Sequence, residues 1–206
     1  MRVLAIESSG TQGGVALVDN GCVIGEVVFE TGMVHGRDIA PSIGKLCPNL
    51  DIDLVAVDVG PGSYTGLRVG IAAAKGLCLA LKRPAAAVVS LDALALGRRG
   101  TVAAVLDAKW DQVYGALYED GRRTTEILAE SPAAFAARVP RGAFVIGDAL
   151  KKHASLFGGC TLAQRDEWWP KASRIAVLGV TPVDAAALVP LYLRPTEAEV
   201  KFGQKK

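Results

Sequence analysis

Asp58-Val59-Gly60-Pro61-Gly62-Ser63-Tyr64-Thr65-Gly66-Leu67-Arg68 is a glycine-rich turn set between the apolar run 54–59 and a long segment of small and apolar residues, 66–81. A short apolar run bounded by turn residues reads as a strand in a sheet interior. Gly60, Gly62 and Gly66 supply positive φ or close backbone approach and Pro61 fixes φ. Ser63 or Thr65 can cap the helix that starts near Gly66. The turn lacks the Gly-Lys-Ser/Thr ending of a P-loop, and its glycines miss the dinucleotide spacing. Phosphate cradling in the P-loop manner is therefore not expected.

Working outward, the first third reads as strands 3–6, 15–18 and 22–30, with Asp19-Asn20-Gly21 as a hairpin turn. A helix over 38–46, the strand 54–59, the helix 66–81 and a strand 85–89 follow. A meander feeding crossover units, βββαβαβ, is the layout of a ribonuclease H-like domain. A shift of one hundred positions places Glu7 on Asp107, Ala16 on Ala116, Leu17 on Leu117, Asp19 on Glu119 and Gly21 on Gly121, the trace a duplicated unit leaves. Two such units in tandem predict an α/β fold of the actin, Hsp70 and sugar-kinase type, with mixed sheets flanked by helices. The expected division is 1–97, the partner-binding unit, and 98–206, a degenerate copy whose last segment returns to the first. Within the second unit, 145–147 reads as a strand, 175–178 as a helix that Gly179 ends, and the polar stretch after Pro195 as frayed or helical.

With 206 residues, 50% of them hydrophobic, the chain can bury a substantial core. Cys22, Cys47, Cys78 and Cys160 are far apart with no Cys-x-x-Cys pair, so buried reduced thiols are expected rather than a zinc knuckle or disulfide framework. The first apolar run meets Glu7 too soon for a signal-peptide core, and no uninterrupted apolar run reaches the roughly 20 residues of a membrane span. A cytoplasmic location is expected. The net charge of +2 is modest, and the basic doublets Arg98-Arg99, Arg122-Arg123, Lys151-Lys152 and Lys205-Lys206 are scattered, without an aromatic-plus-basic platform for RNA.

The run from Gly60 to Leu77 resembles the signature of the TsaB (YeaZ) family, and the likeness continues in Val3-Leu4-Ala5-Ile6-Glu7-Ser8-Ser9, in 88–94, in Leu106-Asp107-Ala108 with Val113-Tyr114, and in Pro190-Leu191-Tyr192-Leu193-Arg194. That resemblance implies a catalytically silent scaffold or activator docking on a TsaD-like subunit. The complex would transfer threonylcarbamoyl from its adenylate to N6 of adenosine 37 in tRNAs reading ANN codons. A TsaE-like ATPase would be a further partner, tRNA would be met indirectly, and the free chain would form a homodimer. Some relatives are labelled glycoprotease-like, but Ser63 has no triad order around it. TsaD-like relatives carry a His-x-x-x-His metal pair. Here His35 is followed four residues on by Ile39, and the family's Ser-Glu-Leu-Leu after this histidine is replaced by Gly36-Arg37-Asp38-Ile39.

Along 66–82 the charges Arg68, Lys75 and Lys82 fall seven apart, while Ala72, Gly76 and Ala80 form a small-residue row. Such a helix is covered on more than one side, either wholly by its own protein or half by a partner. The resemblance points to a partner face made of His35, Arg37, Leu67, Arg68, Ile71, Ala72, Lys75, Gly76, Leu79 and Ala80. In the turn 8–14, Ser8, Ser9 and Gly10 are candidates to touch a phosphate. Its counterpart, Ala108-Lys109-Trp110-Asp111-Gln112, presents a bulky ring and an acid. No cofactor is therefore expected beyond weak ATP or ADP contact in the assembled complex. An ATPase or phosphotransferase working in its own cleft is the competing reading. A third is a metal nuclease using Glu7, Asp58 and Asp107. Asp58 also has a structural use, accepting from the amides of 60–63.

Overall fold

In the first half, alternating apolar residues, the Ser8-Ser9-Gly10-Thr11 turn and the Asp19-Asn20-Gly21 hairpin turn set up a meander of β1 (Arg2–Glu7), β2 (Gln12–Asp19) and β3 (Cys22–Glu30). Then come α1 (His35–Leu46), β4 (Leu54–Gly60), α2 (Tyr64–Leu81), β5 (Ala85–Val89) and α3 (Ser90–Ala95). The second half runs β6 (Thr101–Lys109), β7 (Gln112–Glu119), β8 (Arg122–Arg123), β9 (Leu128–Glu130), α4 (Pro132–Arg138), β10 (Phe144–Ile146), α5 (Leu150–His153), β11 (Thr161–Leu162) and α6 (Ala172–Leu178). This computed structural model describes residues 1–30 and 35–194; the stretch after Pro195 read above as frayed or helical lies outside the described residues.

The two sheets share one topology. The first has the order β3-β2-β1-β4-β5, with β2 antiparallel to both neighbours and the β1, β4, β5 pairings parallel. The second is β11-β10-β6-β7-β8, with β6–β7 and β7–β8 antiparallel, β6–β10 and β10–β11 parallel, and β9 joined to β7. This is an α/β fold of two mixed sheets flanked by helices. The internal repeat is offset by one residue from the shift of one hundred in its leading strand. Glu7 pairs with Gly14, whereas it is Leu106, not Asp107, that pairs with Tyr114. The second unit's β6–β7 turn is one residue longer, so Glu7 matches Leu106 and Asp107 matches Ser8.

Helices α1 and α2 cover one face of the first sheet, where Leu4, Ile6, Val15 and Leu17 meet Ile39, Ile43, Ile71, Ala74 and Cys78. Helix α6 covers the other face, with Ile175 and Ala176 against Val3, Ala5, Ala56 and Val88. It comes from the second half of the chain. Ser173 donates to Glu26 from both its amide (2.9 Å) and its hydroxyl (3.0 Å), and Arg174 donates to the carbonyls of Ala93 and Leu94. Gly179 does end this helix, but with φ −78° its capping is not left-handed. A Cβ there would lie 2.4 Å from Ala56 Cβ, so close packing is what calls for glycine.

In the second sheet Phe135 of α4 packs over Gly115 on one side, while Tyr118 reaches through to α3, donating to Asp92 at 2.7 Å. Residues 182–194 then run back as a strap over the first unit. Val183 and Ala85 exchange two backbone bonds, the Leu191 amide donates to Val59 O at 2.7 Å, and Leu188 is buried beside α2. Of the four thiols, Cys47 and Cys78 are buried, whereas Cys22 is exposed and Cys160 half-buried, because β3 begins at the sheet edge and Cys160 sits in a surface turn. By length and composition alone α2, 18 residues long, could cross a membrane, although Arg68 and Lys75 interrupt its apolar sequence. Its apolar Leu67, Ile71 and Ala74 are instead core residues of the first unit.

Candidate functional site

The glycine-rich turn and the start of α2 are built around the β1–β2 turn. Ser63 caps α2, its hydroxyl accepting from the Gly66 amide at 3.3 Å. The Ser63 amide donates to Ser9 O at 2.7 Å, and the Ser8 hydroxyl donates to Gly66 O at 2.8 Å. A Cβ on Gly62 would stand 2.6 Å from Ser9 O, on Gly66 2.0 Å from Ser8 O, and on Gly70 2.2 Å from Ser8 Oγ. These glycines are required by close approach. The signature is thus the seat of Ser8 and Ser9 against a helix start, with Gly60 alone among the turn's glycines at positive φ (108°).

Beneath this seat lie two fully buried acids on adjacent parallel strands, Glu7 at the end of β1 and Asp58 near the end of β4. One oxygen of each is bonded: Glu7 Oε1 accepts from the Ser9 amide and hydroxyl, both at 2.6 Å, and Asp58 Oδ1 accepts from the Gly60 amide and the Ser90 hydroxyl, both at 2.7 Å. Their second oxygens, Glu7 Oε2 and Asp58 Oδ2, are buried without a partner. Burial, joined by the Asp58 charge, pushes the Glu7 carboxyl well above the usual range. Burial likewise raises Asp58 to about 6, against the pull of Ser90, the Gly60 amide and Ser9. Two carboxylates packed this way cannot both ionise cheaply, so the pair holds a proton through much of the acidic range.

The second turn has a different chemistry. Lys109, Trp110 and Asp111 all take positive φ (61°, 50° and 53°). Asp107 accepts from the Lys109 amide (3.0 Å), Lys109 Nζ (3.1 Å) and Lys152 Nζ (2.7 Å). Burial alone would raise this carboxyl, but Lys152 and Lys109 together hold it below the ordinary range. Arg194, on the returning strap, donates to Ala108 O and Lys109 O and stacks 5.0 Å from the Trp110 ring. The strap thus closes on this turn.

Ser8 and Ser9 are buried with their hydroxyls committed inward, and Gly10 is half-buried. The structure joins Glu7 to Asp58 but keeps Asp107 on the other sheet, so the three strand-end acids do not form one cluster. No group of three or more His, Cys, Asp or Glu able to hold a metal occurs among the described residues. Of the residues expected at a partner face, Leu67 and Ile71 are buried in the chain's own core (0% and 5% exposed), a correction that follows from their side of α2 facing β4. Arg68, Ala72, Gly76, Leu79 and Ala80 are exposed, Lys75 is half-buried, His35 opens α1, and Arg37 is exposed. Leu79 is 82% exposed, and a Cβ on Gly76 would meet nothing within 4 Å. The strap takes part of α2: Lys75 Nζ donates to Ala186 O (3.3 Å), Arg68 Nε donates to Tyr192 Oη (2.8 Å), and Tyr192 stacks on Tyr64 at 5.1 Å. The sequence expectation had the last segment return to the first unit but named none of these contacts.

Comparison with known proteins fits this geometry. Residues 37–158 match the family model described as "TsaD: tRNA N6-adenosine threonylcarbamoyltransferase". The chain is similar to the Bacillus subtilis tRNA threonylcarbamoyladenosine biosynthesis protein TsaB, 31% identical with 98% of each chain covered. It is also similar to the Escherichia coli protein of that name, 35% identical over 58% of this chain and 55% of the relative. Among solved structures, an uncharacterized Pseudomonas aeruginosa protein with similarity to peptidase YEAZ superposes with a TM-score of 0.80 at 25% identity, covering 94% of this chain and 99% of that one. The match to the Bacillus subtilis TsaB spans nearly the whole of both chains. The chain belongs to the TsaB (YeaZ) family of tRNA threonylcarbamoyladenosine biosynthesis proteins.

Proposed function

We propose that this chain is a catalytically silent scaffold and activator that docks on a TsaD-like subunit, in the complex that forms N6-threonylcarbamoyladenosine at position 37 of tRNA. The observation that carries the reading is the uncovered side of α2, where Ala72, Gly76, Leu79 and Ala80 lie exposed, as do Arg37, Ala40 and Gly44 of the neighbouring α1. Small residues in a row let a second helix approach closely, and depleted charge suits the centre of an interface. The same face serves a homodimer when the partner is absent. A TsaE-like ATPase joins as a further subunit. Catalytic silence is supported by the sealed turn: Ser8 and Ser9 are spent on Gly66 and Glu7, Arg194 sits over the opposite turn, and His35 lacks its second histidine. An ATPase working alone in this cleft would need those hydroxyls and amides facing a phosphate.

The test is co-elution with a purified TsaD-like protein, for the wild-type chain and for Gly76→Leu. Because nothing lies within 4 Å of a Cβ at this position, the variant should fold with wild-type circular dichroism yet lose the partner. Overpacking a close helix contact costs about 1–3 kcal/mol, and a bulky side chain in a tight crossing more. Co-elution of Gly76→Leu at wild-type stoichiometry would reject this face as the docking surface.

A further inference from the structure

Two basic doublets that stand apart in the sequence, Arg98-Arg99 and Arg122-Arg123, meet at one end of the second sheet. The β6–β7 register brings Thr101 opposite Glu119, and a clasp extends the pairing: the Gly100 amide donates to Asp120 Oδ1 at 2.8 Å and the Asp120 amide donates to Gly100 O at 3.1 Å. Between the two segments lies an open groove of about 650 Å³, lined by Leu96, Gly97, Arg98, Arg99, Asp120, Gly121 and Arg122. Its lining carries three guanidinium groups against one carboxylate. Arg98 is fixed by an ion pair with Glu167 and lies 4.6 Å from the Phe144 ring, so it is held in place. Arg99 and Arg122 are exposed, and among the described residues neither has a carboxylate partner. Arg123, outside the lining, faces Asp92 at 3.7 Å.

Two unpaired arginines flanking a third that is anchored select a ligand with several negative charges, since the planar guanidinium fork matches phosphate oxygens. The groove is shallow and open, which suits an extended chain. No aromatic side chain lines it, so it offers no platform for stacking bases and reads charge, not sequence. We propose that this groove takes the phosphodiester backbone of tRNA, giving the chain a direct RNA contact away from the α1–α2 face. The choice of tRNA among polyanions rests on the family reading above.

The experiment measures binding of a labelled, unmodified tRNA transcript to the full chain, alone and with a TsaD-like partner, as a function of salt. Arg99→Glu/Arg122→Glu should weaken binding on the order of tenfold at about 50 mM salt and lower the slope of log K against log salt by about 1.5, two phosphate contacts being lost. Asp120→Asn keeps the acceptor for Gly100 and tolerates the positive φ of 48° while removing the groove's negative charge, so it should tighten binding several-fold. A gain of this kind cannot come from a damaged fold. Arg83→Glu/Lys151→Glu, an equal charge change at exposed positions elsewhere, should leave binding near wild type. The proposal is overturned by wild-type affinity in the Arg99/Arg122 variant, by an equal loss in the control pair, or by no tightening in Asp120→Asn. Loss of co-elution with the partner in the Arg99/Arg122 variant would also overturn it, assigning the groove to protein contact. The free-chain arm reads tRNA binding whether or not a TsaD-like partner associates, so failure of the docking reading stays separate.

Discussion

Glycine to alanine at two positions of the same helix should move stability in opposite directions. At Gly76, an exposed interior position of α2, the added methyl meets nothing within 4 Å, and alanine is the better helix former by about 0.8–1.0 kcal/mol. Gly76→Ala should therefore stabilise the free chain by about that amount. At Gly66 the same methyl would stand 2.0 Å from Ser8 O, in a fully buried seat where the obstruction is backbone and cannot rotate away. Relief requires α2 to lift off the β1–β2 turn, stretching the Ser8 Oγ to Gly66 O and Ser63 N to Ser9 O bonds. Overpacking costs about 1–3 kcal/mol and strained buried hydrogen bonds about 1 kcal/mol more, so Gly66→Ala should destabilise by about 3 kcal/mol despite its better helix propensity. Urea denaturation of both variants, at concentrations low enough to hold the chain monomeric, gives the difference directly, about 4 kcal/mol in all. A Gly66→Ala variant within about 0.5 kcal/mol of wild type would refute the view that the signature glycines exist to seat Ser8 and Ser9.

The Glu7–Asp58 pair sets a pH dependence whose sign follows from raised folded-state values, Asp58 near 6 and Glu7 also elevated. The folded state holds protons that the unfolded chain has released, so the stabilising contribution is full below about pH 4; Asp58's share is lost as the pH rises through about 6, and Glu7's falls in the same direction. Glu7→Gln, which can donate from its amide toward Asp58 Oδ2, should flatten the fall in urea midpoint between about pH 4 and 7 and raise stability near neutrality; a variant less stable than wild type at pH 7 would contradict this. Titration of ATP with magnesium into the free chain should reveal no binding tighter than roughly 100 μM, about 5.5 kcal/mol, because the turn's hydroxyls face inward. Micromolar affinity in calorimetry, abolished by Ser9→Trp, would revive the phosphotransferase reading.

Much of the first sheet was legible because its signals are local. Alternation and turn residues mark β1 to β3, Leu54–Gly60 is apolar apart from Asp58, and Ser63 stands where a cap belongs. What was not legible depended on three-dimensional pairing. Glu7 and Asp58 both read as strand-end acids, but only the parallel β1–β4 register makes them neighbours and leaves two oxygens facing no donor. The one-residue difference between the two β1–β2 type turns is invisible to an ungapped shift, which is why Asp107 fell on Glu7 and not on Ser8. The candidate face of α2 mixed both sides of the helix: Leu67 and Ile71 are as apolar as Leu79, and nothing in composition says which side meets β4. The three arginines of the groove, Arg98, Arg99 and Arg122, looked scattered because the hairpin that unites them closes over some twenty residues.

The central claim is tested most directly by threonylcarbamoyl transfer to tRNA in a purified system containing a TsaD-like protein, a TsaE-like protein, the threonylcarbamoyl donor and an unmodified transcript, assayed with and without this chain. The account predicts background formation of modified adenosine when the chain is left out, full formation when it is added, and none from the chain alone above a heat-denatured control. Undiminished modification without the chain, or turnover by the chain alone, would contradict its assignment as a silent activating subunit.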